Sequence, residues 1–154
     1  MRLLLIDDDQ NKAMQVQTFC NDVYPQHEVV IRRSYQSGLK EVLLNPPDAI
    51  LLDMTMPTYD VDTKEPGGRE RRYAGKEILR QMHRRRISIP TIVITQYEQF
   101  EEGGREVTLA ELVSNLRHDF SEFYVGSVYY QASTSEWMKE LSVLIDTVTK
   151  QQAG

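Results

Sequence analysis

Residues 3–9 read Leu-Leu-Leu-Ile-Asp-Asp-Asp, and the same shape returns at 49–53, Ala-Ile-Leu-Leu-Asp, and at 91–95, Thr-Ile-Val-Ile-Thr. Each is a short apolar run that stops at an oxygen-bearing side chain. Runs of this length, bounded by polar residues and separated by helical patterns, predict strands of a parallel sheet buried on both faces. Sheets of that kind place ligands outside the carboxyl ends of their strands. Neighbouring strands lie about 4.8 Å apart, so acidic groups at the tips of two of them crowd into one small site. Like charges at that separation call for a cation or a proton between them.

Working outward, the alternation of strand and helix is regular. Arg2 to Ile6 is a strand, and Ala13, Val16, Cys20 and Val23 then recur at helical spacing. Glu28 to Arg32, with three consecutive β-branched residues, predicts the second strand. Ser34 can cap a helix bearing Tyr35, Leu39, Val42 and Leu43, which Asn45-Pro46-Pro47 must end. Asp48 to Asp53 is the third strand, Ala74 to Arg86 the third helix and Thr91 to Thr95 the fourth strand. The fourth helix runs from Thr108 to Phe120, with Thr108 as N-cap three residues before Glu111. Phe123 to Tyr130, interrupted by Gly126, is the fifth strand, and Trp137, Leu141, Leu144, Ile145 and Val148 stripe the last helix. Five such units make an α/β, doubly wound, five-stranded parallel sheet between two helical layers, a flavodoxin-like sandwich of strand order 2-1-3-4-5. That order sets the first and third strands side by side, so Asp7, Asp8 and Asp53 converge.

Bulk properties bound the partners. The 154 residues make one domain, placed at 1–150 with a short tail over 151–154, large enough to bury a core without staples. A net charge of −5 argues against nucleic acid as the main partner, because phosphate backbones recruit strongly basic surfaces. The lone Cys20 permits no internal disulfide and reads as a buried thiol in a reducing compartment. The first apolar run meets three aspartates after Ile6, so it is neither a signal peptide nor a membrane span, and a cytoplasmic protein is expected. His27, His83 and His118 lack metal spacing, and no zinc site is argued.

With these motifs in order, the chain resembles the receiver domain of two-component response regulators over nearly its whole length. The run at 3–9 is similar to the family's first acidic motif, AILLDMTMP at 49–57 to its phosphoacceptor strand and turn, and TIVIT to the strand ending in Thr or Ser. The resemblance implies that Asp53 is the phosphoacceptor. It implies that Asp7, Asp8, Asp53 and the main-chain carbonyl of Thr55 hold Mg²⁺, and that the Thr95 hydroxyl bonds the phosphoryl oxygen. The chemistry agrees: Mg²⁺ is small and hard, prefers carboxylate and carbonyl oxygen, and spreads phosphoryl charge so that an ionised carboxylate can attack phosphorus.

Three stretches depart from the family's pattern. A lysine usually ends the fifth strand and pairs with the phosphoryl group; here that position falls on Tyr130, followed by Gln131 rather than proline. Such charge-assisted contacts are about twice as strong as neutral ones. The switch aromatic of that strand falls near Ser127, or on Tyr129 if the register moves by one or two residues. The loop from Thr58 to Tyr73 has 16 residues and carries Lys64, Arg69, Arg71 and Arg72, candidate substitutes for the absent lysine. The insertion from Gln96 to Val107 enlarges the face that touches partners in the family, which suggests a dedicated binding surface. The Arg84-Arg85-Arg86 run reads as a solvated helix end, where positive charge suits the helix dipole.

The leading expectation is a stand-alone response-regulator receiver in a Mg²⁺-dependent phosphorelay, not an enzyme in its own right. It would take its phosphoryl group from a sensor histidine kinase or phosphotransfer protein and signal to a downstream protein as a monomer or weak dimer. Residues up to Val148 are all used by the receiver fold, so no output domain is expected. A phosphorylation-independent interaction module is the alternative. An aspartyl-nucleophile phosphohydrolase ranks behind both, because such enzymes need an acid two residues after the nucleophile, and Thr55 stands there.

Overall fold

The computed structural model describes residues 1–57 and 73–153. Strands β1 (Arg2–Ile6), β2 (Glu28–Arg32), β3 (Ala49–Leu52), β4 (Thr91–Thr95) and β7 (Tyr124–Tyr129) form one parallel sheet in the order β2-β1-β3-β4-β7. This is the predicted 2-1-3-4-5 order, with β7 as the fifth strand of the sequence. Helices α1 (Gln10–Val23), α2 (Tyr35–Leu44), α3 (Ala74–Arg84), α4 (Leu109–Asp119) and α5 (Glu136–Ala153) connect and flank it.

The strands are apolar at consecutive positions because both faces of the sheet are covered. Leu4, Ile6, Ile50, Leu52 and Val93 pack with Val42 of α2, Ile78, Leu79 and Met82 of α3, and Leu112 and Leu116 of α4. Leu3, Leu5, Leu51, Ile92 and Ile94 face the opposite layer, with Val16 and Cys20 of α1 and Trp137, Leu141 and Ile145 of α5. Each such side chain taken fully out of water contributes about 1.5–3 kcal/mol, so the central strands anchor the site at their ends. Cys20 is wholly buried, as expected, and burial pushes its thiol up to about 12.

Local signals start and stop the helices. Asp9 caps α1 by accepting from the Lys12 amide at 3.1 Å. Ser34 and Ser37 form a reciprocal capping box on α2, and the Thr108 hydroxyl accepts from the Glu111 amide at 3.2 Å. α3 ends at Arg84, two residues short of the expected Arg86. There the chain turns into the left-handed region at Arg86 (φ 57°), and the Arg86 and Ile87 amides donate back to the carbonyls of His83 and Met82. Such a paired stop normally carries glycine. The arginine run itself is exposed, as expected of a solvated helix end. α5 continues over 151–153, where a tail was expected, because nothing in Lys150-Gln151-Gln152 breaks a helix.

The insertion after β4 is not an irregular loop. It folds as an antiparallel hairpin, β5 (Gln99–Glu102) and β6 (Arg105–Thr108), joined by Gly103-Gly104, both at positive φ. Two residues at positive φ are what a tight hairpin turn requires. Phe100 and Val107 face each other across it and are buried in the core, while Gln99, Glu101, Arg105, Glu106 and Thr108 point outward. The Glu102 carboxylate ties the hairpin to Lys76 and Arg80 of α3. The expected loop from Thr58 to Tyr73 lies outside the described residues except for Tyr73, which packs on Phe100 at 5.5 Å between ring centroids.

Candidate functional site

The register of the sheet builds the site. Leu5 lies opposite Leu51 and Ile6 opposite Leu52, so Asp7 and Asp53 leave two adjacent strands at the same level. The Asp53 amide donates to the Ile6 carbonyl at 3.0 Å and the Asp7 amide to that of Arg32 at 2.9 Å, fixing both backbones. One carboxylate oxygen from each of Asp7, Asp8 and Asp53 lies within 4.8 Å of the others. Asp9 turns away to cap α1, and its amide donates to Asp7 Oδ1 at 2.9 Å. Behind the site, a Cβ at Gly75 would collide with the Asp53 carbonyl, so only glycine lets α3 begin this close.

Lys12, which sequence reasoning passed over, enters this cluster from the first turn of α1. Its side chain is 1% exposed, and its ammonium stands 2.9 Å from Asp7 Oδ2 and 3.4 Å from Asp53 Oδ1. The same ammonium donates to the Ile94 carbonyl at 2.7 Å. The signal for it was faint but present. Lys12 lies three residues past the Asp9 cap and next to the inward-facing Ala13, which puts it beside the acidic strand end.

The electrostatics follow from burial and these neighbours. Burial pushes the Asp53 carboxyl up to about 7; Lys12 opposes that shift, and the negative Asp7 and Asp8 add to it. Burial alone would pull the Lys12 ammonium down. The charges of Asp53 and Asp7 outweigh burial and hold it above the ordinary lysine value. Three carboxylates against one ammonium leave an excess of negative charge on hard oxygen donors, which fits a divalent cation such as Mg²⁺.

The remaining predicted residues divide. Thr95 is buried at the end of β4, where its hydroxyl accepts from the Tyr97 amide at 3.2 Å, at the root of the β5–β6 hairpin. Thr55 is half-buried just beyond β3, and its hydroxyl has no hydrogen-bond partner among the described residues. Tyr129 lies opposite Thr95 across β4 and β7 and is half-buried. Ser127 is taken up by a hydroxyl pair with Tyr124. Tyr130 is buried against Trp137 at 5.1 Å, and its amide donates to the Thr95 carbonyl at 2.8 Å. Burial raises its phenol pKa and keeps it neutral, and a phenol offers the site no positive charge in either form. Lys64, Arg69, Arg71 and Arg72 lie outside the described residues. A cleft opens beside Asp7, lined by Gln10, Met14, Gln17, Ile31 and Arg33.

Comparison with known proteins gives this geometry a context. No family model matches the chain. It is 29% identical over 145 residues to the Detocs response regulatory protein DtcB of Enterobacter cloacae, covering 92% of this chain and 95% of that protein. It is 26% identical over 138 residues to the uncharacterised protein y4jR of Sinorhizobium fredii, covering 89% and 91%. Among solved structures, the receiver domain of the Francisella response regulator 1452 superposes with a TM-score of 0.66 at 16% identity, covering 98% of each chain. The fold is that of the response-regulator receiver domains, in a chain the size of one such domain. Among the described residues, no helix is long and apolar enough to cross a membrane.

Proposed function

We propose that this chain, which has the receiver-domain fold of response regulators, is a phosphoacceptor in two-component signalling and carries the phosphoryl group on Asp53. The observation that supports this most is the convergence of the Asp7, Asp8 and Asp53 oxygens within 4.8 Å at the ends of β1 and β3. Asp7, Asp8, Asp53 and the Thr55 carbonyl would hold Mg²⁺, which when bound supplies charge neutralisation for the phosphoryl oxygens.

The protein's part is to present one carboxylate oxygen in line with phosphorus. An Asp53 oxygen attacks, the phosphorus–oxygen bond to Asp53 forms, and the phosphorus–nitrogen bond of a donor phosphohistidine breaks. The electron pair leaves on the imidazole nitrogen, which takes up a proton from water. No separate base is needed once Asp53 is ionised, the form its Lys12 neighbour favours against burial, because a carboxylate has no proton to lose. The Thr95 hydroxyl, released from the Tyr97 amide, would donate to a phosphoryl oxygen.

The donor would be a sensor histidine kinase or phosphotransfer protein, approaching along the cleft beside Asp7. The outward polar face of the β5–β6 hairpin, which begins two residues beyond the Thr95–Tyr97 contact, is the surface proposed for a downstream protein. Intact-mass measurement after acetyl phosphate and Mg²⁺ tests the reading. One phosphoryl group should add to the wild type and none to Asp53→Asn; no addition to either overturns it. The second reading, an interaction module that works without phosphorylation, draws on the burial of Asp53, which is 3% exposed. It predicts that no label forms and that partner binding is unchanged in Asp53→Asn.

A further inference from the structure

The fifth strand ends in a neutral, buried tyrosine, yet the site has a cation. The geometry points to Lys12, on the first turn of α1, as the charge partner of the phosphoryl group, taking over from another element the work that no residue at the end of β7 can do. This inference rests on Asp53 being the phosphoacceptor.

Three observations carry it. The ammonium already touches the nucleophilic residue, at 3.4 Å from Asp53 Oδ1, and among the described residues no other lysine or arginine pairs with Asp53 or Asp7. It donates one hydrogen bond, to the Ile94 carbonyl, and stands within ion-pair distance of Asp7 Oδ2 and Asp53 Oδ1, two oxygens without a hydrogen-bond partner among the described residues. When Asp53 becomes an acyl phosphate its carboxylate charge moves to the phosphoryl group, and the ammonium 3.4 Å from Oδ1 then faces phosphoryl oxygens. The Ile94 carbonyl precedes Thr95 by one residue. The same ammonium is thus fastened to the strand whose hydroxyl meets the other side of the phosphoryl group. A side chain 1% exposed has little freedom to be elsewhere. Placing the cation on α1 also leaves the Tyr130 ring free to pack on Trp137, a ring contact that a lysine at the strand end could not make.

Beryllium trifluoride with Mg²⁺, a mimic of the bound phosphoryl group, is the probe. Its affinity is read by ¹⁹F NMR, beside the rate of labelling by acetyl phosphate. Lys12→Met should weaken beryllofluoride binding and slow labelling by about tenfold or more, the fold-change that one charge-assisted hydrogen bond carries. Wild type that labels, together with Lys12→Met that labels and binds beryllofluoride equally well, overturns the role of Lys12 and leaves the phosphoacceptor reading intact. Wild type that does not label overturns the phosphoacceptor reading itself, and this inference with it. Should Lys12→Met not fold, the wild type decides. The ¹⁵Nζ resonance of Lys12, correlated to its own backbone, should shift on adding beryllofluoride, and an unmoved resonance with the probe bound overturns the inference.

Discussion

Lys12→Met makes the sharpest stability prediction, because it removes the only positive charge paired with Asp7 and Asp53 among the described residues. At an effective dielectric of about 20, the contacts at 2.9 Å and 3.4 Å correspond to gross attractions of about 6 and about 5 kcal/mol. Much of that is offset by the cost of burying the ammonium. Breaking a buried pair by deleting one partner leaves the other charge uncompensated and costs about 3–5 kcal/mol. Domains hold about 5–15 kcal/mol in total, so the variant should fold with a clearly lowered urea midpoint in chelator. Mg²⁺ should restore part of the loss by supplying the missing positive charge; a ligand at a hundred times its Kd contributes about 2.7 kcal/mol. Mg²⁺ should therefore stabilise Lys12→Met more than it stabilises wild type, where the ammonium competes for the same oxygens. The assay is urea unfolding followed by circular dichroism, with chelator and with Mg²⁺. Equal midpoints for the two proteins in chelator, or a larger Mg²⁺ effect on wild type, would refute the counter-ion argument.

Further consequences follow from other positions. Gly75→Ala should cost at least about 1–3 kcal/mol, as overpacking does, because its Cβ meets the Asp53 carbonyl and the Met54 backbone rather than a yielding side chain; an unchanged urea midpoint contradicts the close approach of α3. Arg86→Gly should raise stability by up to about 1 kcal/mol, since glycine adopts φ 57° without the penalty an L side chain bears; a lowered melting temperature would argue against it. Cys20, raised by burial from 9.0 to about 12, keeps its proton in the folded chain while the unfolded chain loses it. Stability from this group is fully present below pH 9 and is lost as pH rises towards 12. Cys20→Ala should flatten that part of the pH profile, and an identical slope in both proteins would remove the buried thiol as its cause.

The sheet was legible because its strands announce themselves. Leu3 to Ile6, Ala49 to Leu52 and Ile92 to Ile94 are apolar at successive positions, and only strands covered on both faces need that pattern. Asp7, Asp8 and Asp53 were legible for a related reason: charge at the end of such a strand has no packing role. The β5–β6 hairpin could have been found, since Gly103-Gly104 is flanked by Phe100 and Val107 at matching distance. Its strands are four residues each and rich in glutamate, which weakens the periodic signal. Lys12 was harder. Charged residues on helices usually face water, and the burial of this one is set by acids after β1 and β3 and a carbonyl of β4 that adjoin it only once those strands come together. The stop at Arg86 was hidden too, because an arginine stands where the turn favours glycine.

The most direct measurement maps the acyl phosphate itself. Protein treated with acetyl phosphate and Mg²⁺ is reduced with borohydride, which converts an aspartyl phosphate to homoserine, and then sequenced by tandem mass spectrometry. The account predicts homoserine at residue 53 alone, and none when Mg²⁺ is withheld. Homoserine at another aspartate, or at none with Mg²⁺ present, would contradict it.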